Sequence, residues 1–264
     1  MTHRFSAHDP RAGHDSAGVP WTGRTLTGTG FEGDTGAADE TLAALLAAHG
    51  RAASGGADAG VDPAELVAAV ATARLVVPVV AVPGEVDDSS GVPVDVSSDM
   101  ASVTLVAPDG ARALPAFTST AALAAWNADA RPVPVTAQRA ALAAVQEGCS
   151  VIPLDLPAPP GTAAYLLRPS MVWALATGRR PWVPAHEDDQ VRAAVAAAVA
   201  GEEAVVSHDC AAGPDLALQV GLTLVPGLTQ DEVRRLVTSV GERIAADGET
   251  RARIDAVTFR LRGA

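Results

Sequence analysis

Five segments bring together residue types that catalysis or metal binding would use. His208-Asp209-Cys210 places an imidazole, a carboxylate and a thiol in a row. Alternate strand residues share a face, and a thiol beside an imidazole can be held as thiolate. The run supplies no separate group to orient the base and no third metal ligand, so a half-buried strand end accounts for it better. His186-Glu187-Asp188-Asp189-Gln190 begins like a zinc-protease helix, but Gln190 stands where the second His must share the metal. Three acids at a helix start instead complement the positive end of the helix dipole. Phe117-Thr118-Ser119-Thr120 offers three hydroxyls without the G-x-S-x-G frame of a nucleophile elbow, and Ser or Thr is the expected cap there. Asp87, Asp88, Asp95 and Asp99 lack the alternating-oxygen spacing and closing Glu of a calcium loop. Gly28, Gly30 and Gly33 spell G-x-G-x-x-G, yet no buried strand precedes them, and Glu32 and Asp34 would repel a pyrophosphate. Cys149, at the start of an apolar strand, reads as a small core residue.

Composition removes whole reaction classes. All 19 basic residues are Arg. With no Lys there is no P-loop lysine, no pyridoxal Schiff base and no Ser-x-x-Lys hydrolase. The formal charge of −12 opposes phosphate backbones and anionic lipid, so neither nucleic acid nor membrane is an expected partner. The longest apolar runs, 75–83 and 193–201, fall short of the roughly 20 residues that span a bilayer. Met1 to Ser6 shows no apolar signal core and two Cys make no disulfide framework, so a cytoplasmic location is expected. No cofactor is expected.

The elements that would position these residues follow from periodicity. Residues 1–36 have no period and read as an extended arm, with Trp21 and Phe31 as its anchors. Helices are expected at 37–48 and from Asp62-Pro63-Ala64-Glu65, a cap, a first-turn proline and a capping-box acid. The apolar run 74–81 reads as a strand buried on both faces, and Pro78 argues for an edge or a bulge. A long exposed loop is expected at 84–99. A hairpin follows, pairing 103–107 with 111–117 around Pro108-Asp109-Gly110. Thr118 or Ser119 caps a helix ending near Trp126, a further helix spans 136–146, and 149–156 returns as a strand before the prolines at 157, 159 and 160. Residues 165–177 continue as strand or helix.

Residues 179–187, holding Pro181, Trp182 and Pro184, form the expected domain boundary. Beyond it Val191, Val195 and Val199 make a helix stripe, and Leu216, Leu218, Val220, Leu222 and Leu224 alternate as a strand. Thr229 and Glu232 make a capping box for a helix whose apolar face is Val233, Leu236, Val237, Val240 and Ile244. Val257, Phe259 and Leu261 alternate with Thr258, Arg260 and Arg262 in a final strand. The fold class is α+β: two small mixed sheet and helix domains in tandem, at 37–180 and 188–264, after the 1–36 arm.

The ordered set Leu75-Val76-Val77-Pro78-Val79-Val80-Ala81, then Phe117-Thr118-Ser119 with Leu123 and Trp126, then Leu154-Asp155 and a Pro-rich turn, resembles the N-terminal domain of the SseB family, the enhanced serine sensitivity proteins. Trp21-Thr22-Gly23-Arg24 and Phe31-Glu32-Gly33-Asp34 resemble the arm of its actinobacterial members. Leu224-Val225-Pro226-Gly227-Leu228 is similar to the C-terminal domain paired with it. The chain departs from the family's Asp-Pro-x-x-Pro turn by placing Leu156 after Asp155. The resemblance implies a two-domain α+β protein linked by name to serine sensitivity, with no catalytic residues to carry over. Trp21, Phe31, Pro78, Phe117, Thr118, Ser119, Trp126, Asp155 and Trp182 are then structural and family-motif positions. The expected function is a non-enzymatic cytoplasmic protein acting through protein partners. The alternative is an enzyme or small-ligand binder at strand ends near Ser119, Asp155 or His208, which would require those side chains to converge with an Arg such as Arg168 in one cleft.

Overall fold

The structure is a computed structural model that describes residues 30–53, 60–83, 86–87, 94–95, 98–108, 110–158, 164–178 and 181–264. The chain divides into two units, Met1–Thr35 and Gly36–Ala264. Trp21, Gly28 and Asp88 lie outside the described residues. In the first unit, Asp34 N donates to Phe31 O in a turn over 31–34 that Gly30, with φ of +79°, precedes.

In the second unit, α1 (Glu40–Ala53) and α2 (Pro63–Thr72) lead into β1 (Arg74–Pro83). Asp62 caps α2 through Ala64 N, with Pro63 in the first turn. Short strands β2 (Val86–Asp87) and β3 (Val94–Asp95) pair with each other, and β4 (Ser98–Ser102) pairs antiparallel with β1. The expected loop at 84–99 therefore contains strand, and its end belongs to a sheet. The hairpin β5 (Leu105–Val106) and β6 (Arg112–Ala113) turns at Gly110, whose φ is +84°. Then come α3 (Thr120–Trp126), β7 (Arg131–Thr136), α4 (Ala137–Gln146), β8 (Ile152–Leu154), β9 (Tyr165–Leu167) and α5 (Pro169–Thr177).

β1 is the middle strand of the order β4-β1-β7, which corrects the edge position expected from Pro78. Val76 exchanges both backbone hydrogen bonds with Phe117, at 2.8 Å each. Antiparallel alternation then turns the nitrogen of Pro78 to that same side, away from β7. There the Phe117 bridge ends and β4 begins, so no donor is needed at that point, and Pro78 O still accepts from Val103 N. On the other side, Pro132 and Pro134 of β7 sit opposite Pro78 and Val76, with their nitrogens at the edge that has no partner strand among the described residues. Alternating prolines concealed β7 from a reading by periodicity.

The segment through Phe117 links the pieces. Leu114 N and Ala116 N donate to Val151 O and Pro153 O in parallel fashion, and β8 pairs antiparallel with β9. One face of this layer packs under α1, α2, α4 and α5 in a core that includes Leu66, Leu75, Leu114, Ile152, Met171 and Trp182. The other face buries Val76, Phe117 and Leu123 with Trp126 beneath α3.

A second core lies in α6 (Asp189–Val199), β10 (Val205–Ala212), β11 (Leu218–Leu224), α7 (Gln230–Ala246), α8 (Gly248–Arg251) and β12 (Val257–Gly263). The sheet order is β10-β11-β12, antiparallel then parallel. Val191, Val195, Leu218, Val220, Leu222, Val240 and Ile244 fill the interior. Val237, expected on the apolar face of α7, is only half-buried, because the stripe runs through Leu236, Val240 and Ile244. Leu216 does not extend the strand alternation either. It lies in a 3₁₀ turn at Pro214–Leu216 with φ of +61° and packs against the first core.

Candidate functional site

Three clusters gather the polar side chains. The first joins Thr118 to Asp155. Phe117 ends its bridge to β1 and the chain turns, while Asp155 follows β8 with φ of +51°, a left-handed conformation that Asp tolerates better than most residues. Its carboxylate accepts from Thr118 N at 2.8 Å and from Thr118 Oγ1 at 2.7 Å, and both residues are buried. Burial pushes the Asp155 carboxyl above the ordinary carboxylate range, and the two Thr118 donors oppose this without overcoming it. Arg74 donates to Thr118 O at 3.0 Å and also to Ala37 O. Ser119 Oγ accepts from Ala122 N at 3.0 Å as the cap of α3. The expectation that a hydroxyl here is a helix cap is met by Ser119, while Thr118 locks the neighbouring strand end.

The second cluster stands between the two cores. The Arg168 side chain offers no acceptor to cap α5, and within the helix start only Met171 Sδ accepts, from Arg168 N at 3.5 Å. Asp255 supplies one from 85 residues on, its carboxylate accepting from Ser170 N at 2.8 Å and from Ser170 Oγ at 2.9 Å. Ser170 Oγ in turn accepts from Trp182 Nε1 at 3.0 Å. Nearby, Arg253 donates to Asp188 at 2.6 Å and to Glu249 at 3.4 Å. Its Nε is the one buried side-chain nitrogen or oxygen among the described residues without a hydrogen-bond partner. Two clefts flank Trp182, one of about 70 Å³ lined by Trp173, Thr177, Asp188 and Arg253, the other of about 450 Å³ lined by Val67, Gln138, Leu175 and Pro181. Neither is lined by Ser119, Asp155 or His208.

The third cluster covers the face of the second sheet that points away from its core. Asp209 of β10 reaches across Gly221 of β11 to Arg260, at 3.2 Å, and Arg262, at 2.9 Å, both on β12. Gly221 leaves room for this reach, because a Cβ there would stand 2.4 Å from the Asp209 carboxylate and push it aside. His208 projects from the opposite side of β10, opposite Leu222, and is exposed. Cys210 is half-buried against the second core, and burial, then the charge of Asp209, raises its thiol pKa. Cys149 is buried and its thiol is also pushed up by burial. Both shifts disfavour the thiolate that a nucleophile needs.

Ser119, Asp155 and Arg168 are thus engaged separately, the first by Ala122, the second by Thr118 and the third by an ion pair with Asp215 at 4.0 Å, while His208 stands exposed on β10. His186 faces Glu187 at 3.3 Å. No group of three His, Cys, Asp or Glu side chains among the described residues is placed to hold a metal ion. No helix among them is long and apolar enough to cross a membrane. Sequence reasoning missed Ser170, Asp255 and Arg253. Pro169 at a helix start was a local signal for the first, whereas the other two depend on distant partners.

Comparison with protein families matches residues 42–174 to the SseB protein N-terminal domain. Neither the comparison with curated proteins nor the one with solved structures returns a match.

Proposed function

Since the chain belongs to the SseB family, we propose that it is a non-enzymatic cytoplasmic protein that acts through contacts with protein partners. The observation that supports this most is the employment of its reactive side chains. Asp155 and Thr118 lock two strand ends, Ser119 and Thr229 cap helices, Ser170 and Asp255 fasten the start of α5, and both thiols are raised in pKa. Groups spent on the fold in this way are poorly placed to change partners during a reaction. Two thiols, neither in a disulfide, suit a reducing compartment.

The test is affinity capture from the native host, followed by reconstitution of the captured protein with the purified chain. Binding should survive Ser119→Ala, His208→Ala and Cys210→Ser in chains that melt like the wild type. Turnover of a small molecule that these substitutions abolish would overturn the proposal in favour of the alternative reading.

A further inference from the structure

β12 is the last strand of its sheet, and its outer edge has no partner among the described residues. Its two faces differ. Val257 and Leu261 lie on the core side but, past the cover of the helices, are 36% and 43% exposed. Arg260 and Arg262 lie on the other side, where Asp209 takes one guanidinium nitrogen from each. Two cations against one anion leave this face positive on a chain whose formal charge is −12.

The backbone adds a direction. Leu218 N donates to Ala256 O and Ala264 N to Leu224 O, so in this parallel pair the even-numbered residues of β12 bond inward. The N–H groups of Val257, Phe259 and Leu261 point outward, with no strand beside them among the described residues. A strand added there would place its side chains alternately beside the two arginines and beside Val257 and Leu261, at the roughly 5 Å spacing of directly opposite pairs.

We propose that β12 is the docking edge for an extended segment of a partner protein in which acidic and apolar residues alternate. The inference rests on the protein-contact reading above and names the chemistry of the partner. The carboxylates of the segment meet the guanidinium groups of Arg260 and Arg262, and its apolar side chains cover Val257 and Leu261. A second copy of this chain is opposed in the register that centres on Leu261. Antiparallel pairing of two β12 strands about Leu261 would set Arg260 opposite Arg262 twice, and like charges directly opposite are destabilising. In that register the two arginines oppose self-pairing, and on this face they favour an acidic guest.

The probe is fluorescein-labelled Glu-Val-Glu-Val-Glu-Val amide, with Lys-Val-Lys-Val-Lys-Val amide as its control, read by anisotropy on the full chain. Saturable binding of the acidic probe alone is expected. The double variant Arg260→Gln/Arg262→Gln should weaken it by at least about tenfold, which corresponds to about 1.4 kcal/mol. Leu261→Pro, which removes one outward N–H and no bond to β11, should weaken it as well. Circular dichroism establishes that each variant remains folded. The proposal fails if the acidic probe does not bind, if it binds both variants as it binds the wild type, or if sedimentation shows a dimer that the double variant dissolves. A reconstituted natural partner that binds the double variant unchanged would sink the edge assignment while leaving the protein-contact reading in place.

Discussion

The molecule repeats one small piece of chemistry in two settings. In the first core, Asp155 accepts from both the N–H and the hydroxyl of Thr118, at 2.8 and 2.7 Å. At the start of α7, Glu232 accepts from the N–H and hydroxyl of Thr229, both at 2.7 Å, and Asp247 does the same with Thr250 at 2.8 Å. The partners and distances agree, yet the carboxyl groups move in opposite directions. Burial raises Asp155, while the hydrogen bonds from Thr229 and Thr250 lower Glu232 and Asp247. Two charge-assisted bonds suffice to favour the ionised form at a helix end open to water, but inside the first core they do not offset the lost hydration. The same motif is a stabilising cap in one place and a demanding buried anchor in the other.

The sharpest way to break the comparison is to bury a carboxylate in the region where carboxylates now help. Val240 is fully buried between α7 and the second sheet, with no donor assigned to it. Val240→Asp should destabilise the second core by about 3–5 kcal/mol, the range for an uncompensated buried charge. Far-UV circular dichroism during urea unfolding measures the loss. Trp173 and Trp182 line the cleft against Asp188 and Arg253 and should respond to this first transition, whereas Trp126, packed with Phe117 and Leu123, should report a later one. An unchanged first transition would mean that the interior of α7 is not as buried as the structure places it.

Next in size is the removal of the buried anchor. Asp155→Ala leaves the N–H and hydroxyl of Thr118 without their acceptor, a loss of about 1–3 kcal/mol for unsatisfied buried groups. Asp155→Asn keeps an acceptor for the N–H and offers an amide to the hydroxyl oxygen, so it should unfold close to the wild type at neutral pH. Equal losses in both variants would show that the ionised group itself holds the strand ends. Smaller again is Thr229→Ala, which removes an exposed cap of α7 and should cost about 1 kcal/mol. Amide exchange in the first turn of α7 localises the effect.

Which parts were legible follows the same divide between local and distant. Asp62 before Pro63, Ser119 before α3, and the Thr229 and Glu232 box act within three residues, so sequence alone reveals them. The alternation of β11 and β12 was equally plain, because one core face and one open face impose a period of two. β7 escaped because Pro132 and Pro134 mimic a linker, and β1 was assigned to an edge because the two-sided pairing that excuses Pro78 depends on Phe117 and Val103. Thr118 with Asp155, 37 residues apart, and Ser170 with Asp255, 85 apart, leave no mark in the sequence between them. Asp209 across Gly221 was hidden for the same reason, although the placement of Arg260 and Arg262 on one face was already readable.

The smallest effect separates the two settings by sign alone. Asp155 has its pKa raised on folding, so its contribution is fully present below the ordinary aspartate value of about 3.9 and is lost as pH rises through the raised value. Glu232 and Asp247 have theirs lowered, so their contributions are present above the ordinary values of about 4.3 and 3.9 and are lost as pH falls through the lowered ones. Many other carboxylates titrate in the same range, so the informative quantity is each variant's urea midpoint minus that of the wild type, followed with pH. For Asp155→Asn this difference should rise as pH climbs above 3.9, because the variant no longer has a buried group to ionise. For Thr229→Ala it should shrink on acidification, as protonated Glu232 has less to gain from the threonine, but not vanish, because Thr229 Oγ1 still caps Glu232 N. Parallel slopes in the two variants would mean that both carboxylates experience the same solvent, and burial would then no longer explain why one motif serves as an anchor and the other as a cap.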